Sequence, residues 1–349
     1  MLSVYAQYPT FTVFLAVFVG AIVTMLLMPL WIKGLKKHLI GQQVRADGPE
    51  SHLVKQGTPT MGGVIMLVAM AITVLLLAAP ELDTIFILVA IILTGVLGFI
   101  DDASKVAKER SLGLTPKAKL IGQFLISTAF VLAVVNWLGI PPTIDIPFIT
   151  TLDFGILTTT LPIEVPAGQF SIPWLYVIFC DILLMGLSNA TNLTDGLDGL
   201  AAGTVMMAIL VMAAISYRLD LLDASIVSAA IAGCCVGFLW FNAYPADIFM
   251  GDTGSLALGM ALGCVAIVTK TEVISLIIGG LFVIEALSVM IQVFYFKRTR
   301  KRLFLMAPLH HHFEKKGWSE VKVVVRFWII SAFLAAVGFS IFFAQSMMG

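Results

Sequence analysis

Charge is scarce in this chain. Only 12% of its 349 residues are Asp, Glu, Lys or Arg, about half the share of an ordinary soluble domain, and with 59% hydrophobic residues a cytosolic enzyme is excluded. No charge excess exists either. Twenty-one basic residues balance twenty-one acidic ones, so there is no global basic surface and nucleic acid is excluded as a partner. Cysteine is equally sparse: Cys180, Cys234, Cys235 and Cys264 lie inside apolar runs, with neither a disulfide framework nor a metal-ligand spacing. They read as small core residues. The first apolar run lacks a basic stretch before it and a small-residue cleavage site after it, so it reads as a span and not as a signal peptide.

Long apolar runs are what the chain has instead. A membrane-crossing helix needs roughly 20 mostly apolar residues, and ten such runs are legible, near 11–30, 61–79, 84–100, 120–138, 173–190, 199–216, 224–241, 254–269, 272–296 and 327–346. The eighth is short and glycine-rich, and the ninth is long enough to tilt or break. The expectation is an all-α polytopic integral membrane protein with about ten transmembrane helices, forming one domain over 1–349. Lys and Arg number 5, 5 and 9 in the stretches 31–60, 101–119 and 297–326, which is 19 of 21, and only Arg218 and Lys270 fall on the other side. Short cytoplasmic loops retain positive charge. That bias predicts cytoplasmic loops near 31–60, 101–119, 191–198, 242–253 and 297–326, both termini extracytoplasmic, and a small extracytoplasmic hairpin over about 139–172.

The unusual polar residues collect in those cytoplasmic loops. Asp47 to Gly63 offers Lys55, Thr60 and a Gly57-Thr-Pro-Thr-Met-Gly-Gly63 turn, suited either to cradling an anion or simply to starting a helix. Asp101 and Asp102 end the third run, with Lys105 and Lys117 following. Two carboxylates at a helix C-terminus oppose the macrodipole and call for a cation, either a metal or a lysine cluster that also holds phosphate. The stretch Ser188-Asn189-Ala-Thr-Asn192-Leu-Thr-Asp195-Gly196-Leu197-Asp198-Gly199 has no basic residue, and two Asp, two Thr and two Asn are more than one helix cap requires. If Asp195 and Asp198 open the sixth helix, they share a face. Asn242, Phe249 and Asp252 follow in the fourth loop, where Asp252 can cap a helix or hold a divalent cation. His310-His311-His312 reads as extended chain with side chains alternating, so all three cannot easily ligate one zinc.

Taken in order, Gly57 to Gly63, Asp101-Asp102 with Lys105 and Lys117, Asn189 to Gly199, Phe249 to Gly254 and Pro308 to Phe313 resemble the phospho-N-acetylmuramoyl-pentapeptide transferase family, within the polyprenyl-phosphate N-acetylhexosamine-1-phosphate transferases. The resemblance implies an enzyme that moves phospho-N-acetylmuramoyl-pentapeptide from UDP-MurNAc-pentapeptide to undecaprenyl phosphate, giving lipid I and UMP, with a magnesium ion (Mg2+) as cofactor. It implies a bacterial plasma membrane and contact with membrane lipids; the oligomeric state is left open, a homodimer being one assembly. By the same resemblance, magnesium goes to Asp252, and general-base or phosphate-organising work goes to Asp101 with Asp102 in support. Lys117 and His311 join the catalytic set. Substrate contacts fall to Lys55, Thr60, Lys105, Asn189, Asn192, Asp195, Gly196, Leu197, Asp198, Asn242, Phe249, His310 and His312, with the uridine near Asn242, Phe249 and 195–198. Direct deprotonation and a covalent phospho-enzyme both remain open. Asp181 is expected to make a polar contact between helices, and Glu285 to line the entrance for the lipid.

Three rivals are weighed. A UDP-N-acetylglucosamine transferase of the same superfamily differs chiefly at the Pro308 to Phe313 segment. A secondary transporter would place its acids at the bilayer midplane within repeats, and an intramembrane aspartyl protease would need two aspartates inside the bilayer.

Overall fold

In hydrocarbon every backbone N–H and C=O must be paired within the protein, so an apolar run that enters a membrane becomes a helix. The computed structural model, which describes residues 8–37, 55, 57–107 and 113–348, follows this rule. Its helices are α1 (Pro9–Lys37), α2 (Gly63–Leu77), α3 (Leu82–Ala107), α4 (Pro116–Trp137), α5 (Trp174–Thr194), α6 (Leu200–Arg218), α7 (Leu222–Asn242), α8 (Gly251–Val268), α9 (Glu272–Ile278), α10 (Gly280–Thr299), α11 (Leu309–Lys315) and α12 (Glu320–Ser346). Among the described residues nine of these are long and apolar enough to cross a membrane. The run expected near 61–79 forms a shorter helix, α2, of 15 residues. The ninth run breaks at Gly279 into α9 and α10, because two consecutive glycines, Gly279 and Gly280, each weaken a helix by about 1 kcal/mol relative to alanine. Phe14, Phe18, Leu30, Leu125 and Phe333 stand exposed on outer faces, a surface suited to lipid and not to water.

At the centre stands α8, buried from Thr253 to Val268. It packs against α3, α5, α2 and α6, while α7 bridges to α1. Small residues make that central position possible. A Cβ on Gly63 of α2 would stand 2.2 Å from the Gly254 nitrogen, and one on Gly259 would stand 2.4 Å from the Leu187 carbonyl. The helices touch backbone to backbone at both places.

Between α4 and α5 the structure departs from the single hairpin expected over 139–172. Two antiparallel hairpins form, β1 (Thr143–Ile146) with β2 (Thr150–Asp153) and β3 (Thr158–Val165) with β4 (Gly168–Pro173). Two turns account for the difference, one with Phe148 at φ 62° and one with Gly168 at φ 121°. Both hairpins are tied to the helices. The Asn136 Oδ1 of α4 accepts from the Ser171 N–H at 2.6 Å and its Nδ2 donates to the Ser171 carbonyl at 2.9 Å. Lys270, just past α8, donates to the Pro141 and Thr143 carbonyls and pairs with Glu272 at 2.8 Å. The hairpins therefore sit at the C-terminal end of α8, roughly 27 Å of helix rise away from Asp252.

Candidate active site

Asp101 and Asp102 are almost wholly buried, at 1% and 3% exposure. The sequence suggests that they close their helix, but α3 continues past them to Ala107, so they lie inside it. Their compensation comes from other helices. Asp102 faces the start of α8, where its Oδ1 accepts from the Asp252 N–H at 3.1 Å and its Oδ2 from the Thr253 N–H at 2.9 Å and the Thr253 hydroxyl at 2.8 Å. A helix leaves its first four N–H groups unpaired and carries partial positive charge at that end. Asp102 supplies both the acceptors and the negative charge, from 150 residues away. Asp252 is thereby not the cap. The N-cap position is Met250, and Asp252 is the second residue of α8.

The Asp252 side chain turns toward the cations. Its Oδ1 accepts from Asn192 Nδ2 at 2.8 Å, and its Oδ2 meets Lys119 Nζ at 2.5 Å and Lys105 Nζ at 3.1 Å. Asp101 completes the group. Its Oδ1 accepts from the Leu114 N–H at 2.7 Å and lies 3.5 Å from Lys119, while its Oδ2 pairs with Lys105 Nζ at 2.6 Å. One oxygen from each of Asp101, Asp102 and Asp252 falls within 4.8 Å of the others. Three carboxylates face two ammoniums, so a negative charge is left over. An all-oxygen donor set that gathers three carboxylates around two ammoniums fits a hard divalent cation that keeps phosphate or water as its remaining ligands.

Asp195, the C-cap of α5, stands nearby. Desolvation, then repulsion from Asp252, Asp102 and Asp198, pushes its carboxyl up to about 8. The expectation that Asp195 and Asp198 open the sixth helix is corrected, because α6 begins at Leu200 with Gly199 as its cap, in a left-handed conformation (φ 78°). Asp198 takes part in a second cluster. Lys55 Nζ meets Asp198 Oδ1 at 2.6 Å and Glu320 Oε1 at 2.5 Å, and Glu320 also accepts from the Asp198 N–H at 2.8 Å. Asn242 is buried and ties two loops together, accepting from the Gly199 N–H at 3.0 Å and donating to the Ile248 carbonyl at 2.9 Å. Phe249 and Thr60 lie where loop 57–63 pairs with residues 249 and 250. The Phe249 N–H donates to the Pro59 carbonyl, and the Phe249 carbonyl accepts from the Gly62 N–H, both at 2.8 Å.

Some expected residues are placed elsewhere. Lys117 is exposed and makes no ion pair among the described residues, whereas Lys119 enters the cluster. Asn189 bonds Gln123 and the Met185 carbonyl, both at 2.8 Å, a helical turn deeper than Asn192. The three histidines are not on extended chain: they occupy α11, so successive side chains diverge by about 100°. His311 Nδ1 meets Glu314 at 2.6 Å, His312 Nδ1 accepts from the Leu305 N–H at 3.1 Å, and His310 is buried. Desolvation and Lys316 lower the pKa of His312. Leu197 is buried in an apolar cluster with Val323, Val324 and Phe327 of α12.

Lys119 and Glu320 are the residues that motif reading passes over. The first was legible: Thr115 caps α4 and Pro116 starts it, so Lys119 stands one turn before the buried Gln123 and Ser127, on the inward stripe, with Lys117 on the outward one. Glu320 had no local signal, since its partners are remote.

Residues 84–270 match the model of glycosyl transferase family 4, which sets the class of this helical bundle and its acidic site. Residues 55–67 match signature 1 of phospho-N-acetylmuramoyl-pentapeptide-transferase. The chain is 46% identical to the phospho-N-acetylmuramoyl-pentapeptide-transferase of Rubrobacter xylanophilus, covering 95% of this chain and 98% of that one. It is 44% identical to those of Halalkalibacterium halodurans (92% and 94% covered) and Bifidobacterium adolescentis (95% and 97%). The chain belongs to the phospho-N-acetylmuramoyl-pentapeptide-transferase family.

Proposed function

We propose that the chain catalyses transfer of phospho-N-acetylmuramoyl-pentapeptide from its UDP carrier to undecaprenyl phosphate, releasing UMP and forming lipid I, in the plasma membrane of a bacterium. The observation that carries this reading is the meeting of Asp101, Asp102 and Asp252 with Lys105 and Lys119 at the ends of α3, α4 and α8. Such an end is where a lipid phosphate and a water-soluble nucleotide sugar can both reach. The basic-residue bias assigns it to the cytoplasmic face.

The reaction forms a bond from a lipid phosphate oxygen to the sugar-bearing phosphorus and breaks the bond to the bridging oxygen that leaves with UMP. Little covalent work falls to the protein, so positioning and charge neutralisation dominate. A bound magnesium ion, held by Asp252, would supply Lewis-acid neutralisation of the diphosphate. Lys105 and Lys119, already aimed at the same carboxylates, exchange those contacts for the phosphate oxygens and stabilise the charge that develops on them. Asp101, whose Oδ2 faces Lys105 at 2.6 Å, is the acceptor for the lipid phosphate proton or, in a two-step route, the nucleophile. Asp102 acts by fixing the start of α8 and hence the place of Asp252. Asn242 acts on the uridine side by joining turn 195–199 to loop 243–250, since both ends of its amide are engaged. Lys55, between Asp198 and Glu320, holds that turn to α12.

Purified protein in detergent, given undecaprenyl phosphate and magnesium with UDP-MurNAc-pentapeptide or UDP-N-acetylglucosamine in separate tubes, tests the reading. The expected product is lipid I with UMP, from the first donor only. A GlcNAc-diphospholipid from the second would move the chain to the sister activity, and no UMP from either would overturn the reading.

A further inference from the structure

Glu285 of α10 and His310 of α11 are both wholly buried. Glu285 Oε2 accepts from the Leu309 N–H at 2.7 Å and its Oε1 from the His310 N–H at 3.2 Å, so one carboxylate holds the first two residues of α11. Oε2 also lies 3.3 Å from His310 Nδ1. Among the described residues the imidazole has no hydrogen-bond partner at either nitrogen, and its Nε2 lies close over the turn before α6: a Cβ at Gly196 would stand 2.4 Å from it. A side chain at position 196 would displace that ring.

We infer that Glu285 is a positioning residue for the transfer reaction, acting through His310. It fixes the start of α11 and with it the place of the His310 ring against the turn that carries Asp195 and Asp198. A carboxylate with no exposed surface and both oxygens engaged does not line a lipid path, the role expected for it from sequence. The inference rests on the proposed transfer for its kinetic arm alone.

Two variants test it. Glu285→Gln sets an NH2 group against one of the two backbone donors. Leu309→Pro removes the other side of the contact without touching the carboxylate; it occupies the first helical position, where proline is tolerated, and Pro308 before it is already extended (φ −63°, ψ 174°). For each variant, hydrogen–deuterium exchange over 309–315 and 195–199 is followed, together with kcat and KM for undecaprenyl phosphate. The expected result is exchange at least about 10-fold faster in both segments and kcat lowered about 10-fold or more, with KM changed less than about 2-fold. A raised KM with unchanged kcat and exchange would overturn the inference and return Glu285 to the lipid path. Faster exchange with parental kcat would overturn it too, leaving a purely structural contact. If Glu285→Gln does not fold, Leu309→Pro decides by the same criteria. A parent that makes no lipid product defeats the proposed function, while the exchange arm still judges the Glu285 contact.

Discussion

Asp102 directs both carboxylate oxygens at α8, while Asp252 directs its own at Asn192 and two lysines. Substituting Asn at each position therefore has opposite consequences. Asp102→Asn points an NH2 group at backbone donors in a buried site, a loss of about 1–3 kcal/mol, and is expected to lower the thermal midpoint in detergent by several degrees. Asp252→Asn leaves the helix start intact, since Asp102 still caps it. It is expected to melt like the parent yet lose nearly all lipid product, with partial recovery at most as magnesium is raised, because magnesium prefers charged oxygens. Parental activity and magnesium dependence in Asp252→Asn would remove it from the metal site. The lysines divide similarly. Lys119→Ala is expected to lower kcat about 10²-fold, the order found when one donor to a developing charge is removed, and Lys117→Ala by far less. Equal turnover in the two variants would put Lys119 outside the phosphate site.

At the scale of elements, the site depends on how closely α2 and α3 approach α8. A Cβ on Gly63 would fall 2.2 Å from the Gly254 nitrogen, and one on Gly98 would fall 2.3 Å from the Asp252 carbonyl. Backbone cannot yield as a flexible side chain does. Gly63→Ala is therefore expected to force α2 off α8 at a cost of about 1–3 kcal/mol, read as a loss of folded protein extracted from membranes. It is also expected to lower activity in what does fold, because the Gly62 and Gly63 N–H groups bond the Phe249 and Met250 carbonyls next to Asp252. Parental yield and activity would show that the crossing is looser than these distances imply.

Over the whole molecule, the polar clusters and the hairpins occupy opposite ends of the bundle. A cysteine placed at the exposed Lys117 is expected to be labelled by an impermeant reagent only from the cytoplasmic side, and one at Asp153 of β2 only from outside. The four native cysteines are all buried and contribute little background. Labelling of both sites from one side would reject the topology and the cytoplasmic face of the site together.

The helices and the gathering of acids and bases at one end were legible along the chain. Apolar length and the unequal distribution of lysine and arginine are local properties, written out along the chain. It also held the inward stripe of α4, through spacing. The division of labour among like residues came from how the helices pack. Asp102 caps α8 because α3 crosses its N-terminus, and that crossing depends on Gly98 meeting the Asp252 backbone. Glu285 is an internal acceptor and not a lipid-facing acid because α11 folds back onto α10. The histidines diverge because seven residues near them close a helical turn. The roles of Asp102 and Glu285 depend on which distant backbone N–H lies within about 3 Å of a carboxylate, and no motif encodes that distance.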